Sequence, residues 1–334
     1  MDAGLFVGGA LAIAADPGDS NHLLYGTDTR LLRSRNGGRD WVQEPGADFG
    51  SAVFALSMEK GGSNSVAVAA GGIFYAAKAG EWINVLAPAG AVPAHAIAYA
   101  KSRLYLAAEG GFFASDDGGR TWEQFARGLP EVPVNAIAVQ TIRDVEIVFV
   151  VAQDRVWASE DGARSWQLRS TGLPSARIET LSQNGRLWVV ADGQVYLSGT
   201  QGANWEPVGN PLPQHDTSVR GIAVSDDGMI IVLSTHRGVL RSVDAGKSWA
   251  QVEGNLPVHL ESGPLLRDPR DPSTLYVGFS LTPYSELRRR ISGGANLLAN
   301  LDGLSLAGGA AFLALLATLA GLGVRWLIRL RTRL

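Results

Sequence analysis

The sequence predicts an all-β fold: a seven-bladed β-propeller of four-stranded antiparallel blades, followed by one C-terminal transmembrane α-helix. Three observations carry that expectation. Six Trp residues, at 41, 82, 122, 166, 205 and 249, return 41, 40, 44, 39 and 44 residues apart, and a fixed period of this size marks a repeat architecture. Within each period apolar residues alternate by two rather than by three and four, which is a strand pattern. The chain then ends in a stretch, Leu304 through Val324, of 21 residues without a charge.

Each period divides into four short strands. The first is a small-apolar run, written seven times: Ala12-Ile13-Ala14, Ala55-Leu56-Ser57, Ala96-Ile97-Ala98, Ala136-Ile137-Ala138, Thr180-Leu181-Ser182, Gly221-Ile222-Ala223 and Pro264-Leu265-Leu266. Small residues suit a crowded inner ring where blades converge on an axis. The second strand is richer in β-branched and aromatic residues, as in Ile147-Val148-Phe149-Val150 and Leu187-Trp188-Val189. It too occurs seven times, which sets the blade count at seven. The third runs into a recurring octet, and the fourth opens at the octet's Trp. Four short strands in about 42 residues describe a propeller blade.

The octet is written most fully as Ser115-Asp116-Asp117-Gly118-Gly119-Arg120-Thr121-Trp122. Further copies are Ser34, Asn36, Gly38, Asp40, Trp41; Ser159, Asp161, Ala163, Ser165, Trp166; and Ser242, Asp244, Gly246, Ser248, Trp249. Ser198, Thr200, Gly202, Asn204, Trp205 is a weaker copy, and Tyr75 to Trp82 keeps only the length and the Trp. Its physical content is a hairpin turn. An Asp or Asn at the bend accepts hydrogen bonds from backbone N–H groups further on. Gly accommodates a positive φ, and the Trp lays an apolar face over the turn. The carboxylates stand apart from any His or second acid, so the octets are expected to be structural; ion or ligand contact at the turns is the alternative.

The octet pattern resembles the Asp-box, or BNR repeat, of sialidases, sortilin-type receptors and photosystem II stability/assembly factor propellers. The resemblance covers residues from about 13 to about 285. It implies a propeller but not a function, because one turn serves enzymes and binding proteins alike.

The seventh repeat lacks its octet. Where octet and Trp are due, the chain reads Ser285-Glu286-Leu287-Arg288-Arg289-Arg290-Ile291-Ser292. An open sheet edge invites pairing with another chain, and the spare apolar strand Gly4-Leu5-Phe6-Val7 is expected to complete the last blade. Leu5 to Ala14 also superficially resembles a signal peptide. Against that, Asp2 is acidic, no Lys or Arg precedes the run, and Ile13 keeps the first-strand register.

The tail leaves the pattern. Residues 1–290 are assigned to the propeller, 291–303 to a linker, 304–328 to the membrane helix and 329–334 to a basic tail. The 21 uncharged residues span roughly 32 Å as a helix, against a bilayer core of about 30 Å. Trp326 sits where an interfacial anchor would, and Arg325, Arg329, Arg331 and Arg333 surround it. The positive-inside rule then puts the C-terminus in the cytoplasm and the propeller on the other side, although Arg288, Arg289 and Arg290 flank the opposite end. Ala310, Ala314, Ala317 and Gly321 place small residues on one helix face, a candidate contact with another membrane helix; an Ala-rich lipid anchor without a partner is the alternative.

Catalysis finds no support in the residues. Sialidases need three arginines on the substrate carboxylate, a Tyr coupled to Glu and an acidic proton donor. This chain has no Arg-Ile-Pro tripeptide and no Tyr visibly coupled to a Glu. Its five His residues (22, 95, 215, 236, 259) show no metal-ligand spacing. His95 falls beside a first strand, where a surface or satisfied histidine is the expected reading. There is no P-loop, dinucleotide fingerprint or Gly-x-Ser-x-Gly elbow. The absence of Cys excludes disulfides and thiolate metal sites. A net charge of −3 gives no case for a nucleic-acid partner. The expectation is therefore a non-catalytic protein without cofactor or metal. Similarity to the photosystem II factors implies an assembly factor or accessory subunit of an integral membrane protein complex, engaged through the propeller surface and the membrane helix in the lipid bilayer. Alternatives are a sortilin-like receptor for a soluble ligand, though sortilin-type receptors carry Cys-rich modules, and a degenerate sialidase-like glycan-binding protein.

Overall fold

The small-apolar runs form the innermost strands of a radial array: Ala10–Asp16, Val53–Met58, Ala94–Ala100, Val134–Ile142, Ile178–Asn184, Val219–Val224 and Glu261–Arg267. Each lies beside the next, and the last returns to the first. This computed structural model describes residues 9–280, apart from 62–63, 78–79, 101–102, 126, 215, 254–255 and 257–259. The chain divides into two compact units, Met1–Arg288 and Arg289–Leu334, and the described residues all lie in the first.

Six of the sheets are four-stranded antiparallel meanders, blades 1 to 6, running outward in chain order. The expectation of seven such blades is corrected at the last repeat. Among the described residues Glu261–Arg267 pairs with Leu275–Ser280 alone, giving a two-stranded sheet. The sequence departs from the pattern in the same repeat, which lacks the octet that elsewhere joins a third strand to a fourth. The proposed closing strand Gly4–Val7 and the whole segment from residue 281 onward, with the linker, the membrane helix and its face of Ala310, Ala314, Ala317 and Gly321, lie outside the described residues. Among the described residues no helix is long and apolar enough to cross a membrane.

The second strands read as unbroken apolar runs because both of their faces are covered. Val148, Phe149, Val150, Val151 and Ala152 are each 0% exposed. Core clusters sit between successive blades: Val66, Val68 and Tyr75 meet Leu104, Phe113 and Trp122, and Tyr105 and Phe112 meet Val148, Val150 and Trp166. The outer strands are only a few residues long and mostly solvent-exposed, as at Glu123–Gln124 and Ala250–Gln251. Short edges limit pairing with other chains.

Polar links tie neighbouring sheets at the first hairpins. Tyr99 donates to Glu59 (3.1 Å), Tyr105 to Glu146 (2.7 Å), Asn184 to the Val224 carbonyl (2.8 Å) and Arg267 to Asp226 (2.9 Å). The ring closes in the same manner, with Ser20 donating to Asp268 across 248 positions (2.7 Å). Backbone approach repeats as well. A Cβ on Gly26 would lie 2.9 Å from Val53 of blade 2, and one on Gly278 would lie 2.2 Å from Ala10. Gly278→Ala is therefore expected to push the last sheet away from blade 1. Overpacking of this kind costs about 1–3 kcal/mol, read as a lower urea midpoint with an unchanged slope.

Candidate functional site

The octet residues are placed between third and fourth strands, well apart around the periphery. Each octet Ser ends its strand and is buried: Ser34, Ser115, Ser159, Ser198 and Ser242 are 1–2% exposed. Its hydroxyl accepts the N–H of the fifth octet residue, Gly38, Gly119, Ala163, Gly202 or Gly246, at 2.8–2.9 Å. These five residues have φ between +70° and +99°. The third residue then holds the far side of the turn. Asp117 accepts from Thr121 N–H (2.9 Å) and Oγ1 (2.7 Å), Asp161 from Ser165 N–H (2.9 Å), Asp244 from Ser248 N–H (2.9 Å), and Asn36 from Asp40 N–H (2.9 Å). In the weak copy Thr200 accepts from Asn204 N–H at 2.9 Å. The third-position carboxylates Asp117, Asp161 and Asp244 are thus spent on their own turns.

Those bonds hold the acids below the usual carboxylate range. The Ser165 hydroxyl, outweighing a little burial, holds Asp161 at about 2, and the Ser248 hydroxyl holds Asp244 at about 2. Burial pushes Asp117 up, but hydrogen bonds from Thr121 and Ser115 outweigh it and its pKa is lowered. Depressed folded-state values stabilise the fold above the unfolded carboxylate pKa of about 3.9. That contribution is lost as pH falls toward 2. Asp161→Asn, which copies the Asn36 turn, is expected to flatten the loss of thermal stability between pH 4 and pH 2.5 relative to wild type.

A different constellation appears at the opposite end of the strands. Every innermost strand carries one β-bulge near its start. The extra residue is Leu11, Phe54, His95, Asn135, Glu179 or Arg220, with Gly263-Pro264 making the seventh. The flanking residues are fixed in kind: a buried apolar residue before (Ala10, Val53, Ala94, Val134, Ile178, Val219) and a small one after. A bulge residue leaves the ladder and re-aims its side chain, and Pro is tolerated there because no N–H is needed. Seven bulges in one register therefore set chemically unlike side chains around one mouth of the ring.

That mouth is divided in character. Leu11 and Phe54, half-buried, make one arc apolar. Around the other arc His95 Nε2 meets Glu109 Oε2 at 3.1 Å, so this histidine is satisfied. Glu179 accepts Val219 N–H of the next blade (2.9 Å), and Arg220 reaches Glu261 of the last sheet (2.7 Å). Burial pushes the Glu179 carboxyl up, against the Val219 N–H and the charges of Arg177 and Arg220. Further out Arg237 pairs with Asp216 (2.6 Å), and His236 Nδ1 accepts Ser218 N–H (3.0 Å). Among the described residues no group of three or more His, Cys, Asp or Glu could hold a metal ion. The arrangement can grip an apolar group on one side and a polar or charged one on the other.

Reading strand runs alone misses this ring. Its signal is nevertheless in the repeats: A-L-A-I-A, V-F-A-L-S, A-H-A-I-A, V-N-A-I-A, I-E-T-L-S and V-R-G-I-A differ in kind chiefly at their second letter.

No protein-family model matches the chain, and no curated protein matches it by sequence. Solved structures do. The structure described as YCF48 bound to D1 peptide superposes with a TM-score of 0.62 at 16% identity, covering 82% of this chain and 89% of that one. YCF48 from Cyanidioschyzon merolae gives 0.61 at 12%, covering 81% and 92%. The extracellular domain of BT4673, a putative hybrid two component system from B. thetaiotaomicron, gives 0.64 at 12%, over 84% of this chain but 38% of that chain. At these identities the likeness is one of fold: a β-propeller.

Proposed function

We propose that this chain is a non-catalytic interaction module that docks a segment of a partner protein across the bulge mouth. In this reading it serves as an assembly factor or stable accessory subunit of a membrane protein complex. The observation that carries it is the ring of seven bulges, where the frame repeats and the recognition-bearing side chain changes from blade to blade. The octets are read as Asp-box turns that hold the blades rigid. Residues 304–328 are read as the single span that keeps the propeller at the bilayer, with a cytoplasmic C-terminus and the propeller on the other side. Two supports are the fold shared with a YCF48 structure that contains a D1 peptide and the uncharged run from Leu304 to Val324.

The test is affinity isolation of the full chain from gently solubilised native membranes. A stoichiometric set of integral membrane proteins is expected. Asn135→Arg, an exposed change on the mouth, is expected to weaken their recovery at least about tenfold, as a new unmatched charge at an interface costs more than 1.4 kcal/mol. A protein recovered alone that binds soluble peptide or glycan would sink this reading and favour a receptor. Equal recovery by wild type and Asn135→Arg would move the docking surface away from the mouth.

A further inference from the structure

A groove of about 520 Å³ lies between blades 1 and 2 at the octet end of the strands, away from the bulge mouth. Asp16, Asp19, His22, Arg33, Arg35 and Lys60 line it, with two glycines. Asp16 makes the floor and is 1% exposed. Its Oδ1 accepts the N–H groups of Gly18 (2.7 Å) and Gly61 (2.9 Å), tying the first hairpin of blade 1 to that of blade 2. His22 stands beside it, its side chain 14% exposed and Nδ1 3.7 Å from Asp16 Oδ2. His22 Nε2 is buried and has no hydrogen-bond partner among the described residues.

The charges around this imidazole come from every neighbouring element. The Arg33 guanidinium is bound to Glu44, and the Asp16 carboxylate is engaged by two backbone N–H groups. Asp19 is exposed and accepts Asn21 N–H (3.0 Å). From the last sheet, Arg270 donates to the Gly18 carbonyl (2.6 Å), and Asp268 holds Ser20 and Tyr276. Arg35 and Lys60 are exposed on the groove walls. Burial first, then the Arg33 and Arg35 charges, lower the His22 pKa, against the pull of Asp16 and Glu44. A buried nitrogen without a partner carries its full desolvation cost, and it belongs to a ring that lines the groove.

We propose that this groove binds a small tetrahedral oxyanion, a sulfate or phosphate group, held by Arg35 and Lys60 and by a protonated His22. Unliganded, burial and then the Arg33 and Arg35 charges disfavour the protonated imidazole. An anion in the groove beside the ring favours the charged form, so binding takes up a proton and affinity rises as pH falls. The inference is independent of the docking reading, since it uses neither the mouth nor a protein partner.

Inorganic sulfate is the probe, because it stays a dianion from pH 8 to pH 6. Titration of the full chain by calorimetry, at constant ionic strength made up with chloride, is expected to show saturable binding. Affinity should rise by up to about tenfold per pH unit as pH falls, the limit for one linked proton. His22→Gln should abolish the pH slope, and Arg35→Ala with Lys60→Ala should weaken binding at pH 6 at least about tenfold. Inorganic phosphate and O-phosphoserine, compared at fixed pH, separate a free ion from a phosphomonoester; equal affinity means that the group alone is recognised. Absence of saturable sulfate binding at pH 6, or binding untouched by the Arg35 and Lys60 changes, overturns the proposal. A slope surviving in His22→Gln overturns the role of the histidine. The exposed Arg35 and Lys60 changes keep the test decisive if His22→Gln fails to fold.

Discussion

Glu44→Ala is expected to lower the stability of the propeller by about 3–5 kcal/mol, the usual cost of removing one member of a buried ion pair. The Glu44 side chain is fully buried and that of Arg33 is 4% exposed. One carboxylate oxygen accepts from Arg33 Nη2 at 2.6 Å, and the other lies against Arg33 Nε. The first oxygen also accepts from Gly80 N–H and Trp82 Nε1 of blade 2, both at 3.2 Å. Removing the acid strands a guanidinium whose pKa burial already lowers, and it cuts two links between blades. Replacing both partners, Arg33→Met with Glu44→Leu, takes out the uncompensated charge and should recover much of the loss. Urea unfolding of the single and double variants checks this. A double variant no better than Glu44→Ala would mean that the links to Gly80 and Trp82, not the ion pair, carry the energy.

Glu44 also shows where sequence reasoning stops. The octet could be read because its bonds are local: Ser, Asp and the fifth residue meet within one turn, so their spacing already states the geometry. The strand runs were legible for a similar reason, since alternation by two and small residues in the first strand follow from a sheet end facing a crowded axis. Glu44 meets partners 11 and 36 to 38 positions away, and nothing local marks it. The bulge ring is intermediate. Its register can be recovered by stacking the repeats, but a bulge is a pairing fact between two strands, and one strand's pattern does not contain it. Among the described residues the full blades stop at six, at the repeat that loses its octet, because seven first strands do not imply seven fourth strands.

The two ends of the propeller divide their labour on this account. At the octet end, side chains are consumed by turns and by links between sheets, which leaves rigidity and the groove beside His22. At the bulge end, a constant frame presents unlike residues. Rigid support beneath a variable rim is what a recognition surface requires.

Trp205→Ala is expected to cost about 3–5 kcal/mol, in the range for large aromatic truncations in cores. The octet Trp residues do more than cover their own turns. Trp205 is 3% exposed and packs in the core shared with blade 4, beside Phe149 and Val151. Its Nε1 donates to the Arg169 carbonyl of that blade (2.8 Å), and its backbone N–H donates to the Thr171 carbonyl (2.9 Å). Trp166 is similarly buried and stacks edge-on against Phe112 of blade 3 (5.0 Å), but its Nε1 has no hydrogen-bond partner among the described residues. Replacement by Phe therefore separates the two contributions. Trp205→Phe loses apolar area and strands the Arg169 carbonyl, which adds about 1–3 kcal/mol. Trp166→Phe loses area while removing an unsatisfied donor, so it should be the milder change. Thermal melts of the two Phe variants decide the matter: equal losses would show that the indoles act as wedges between blades and that the bond to Arg169 contributes nothing measurable.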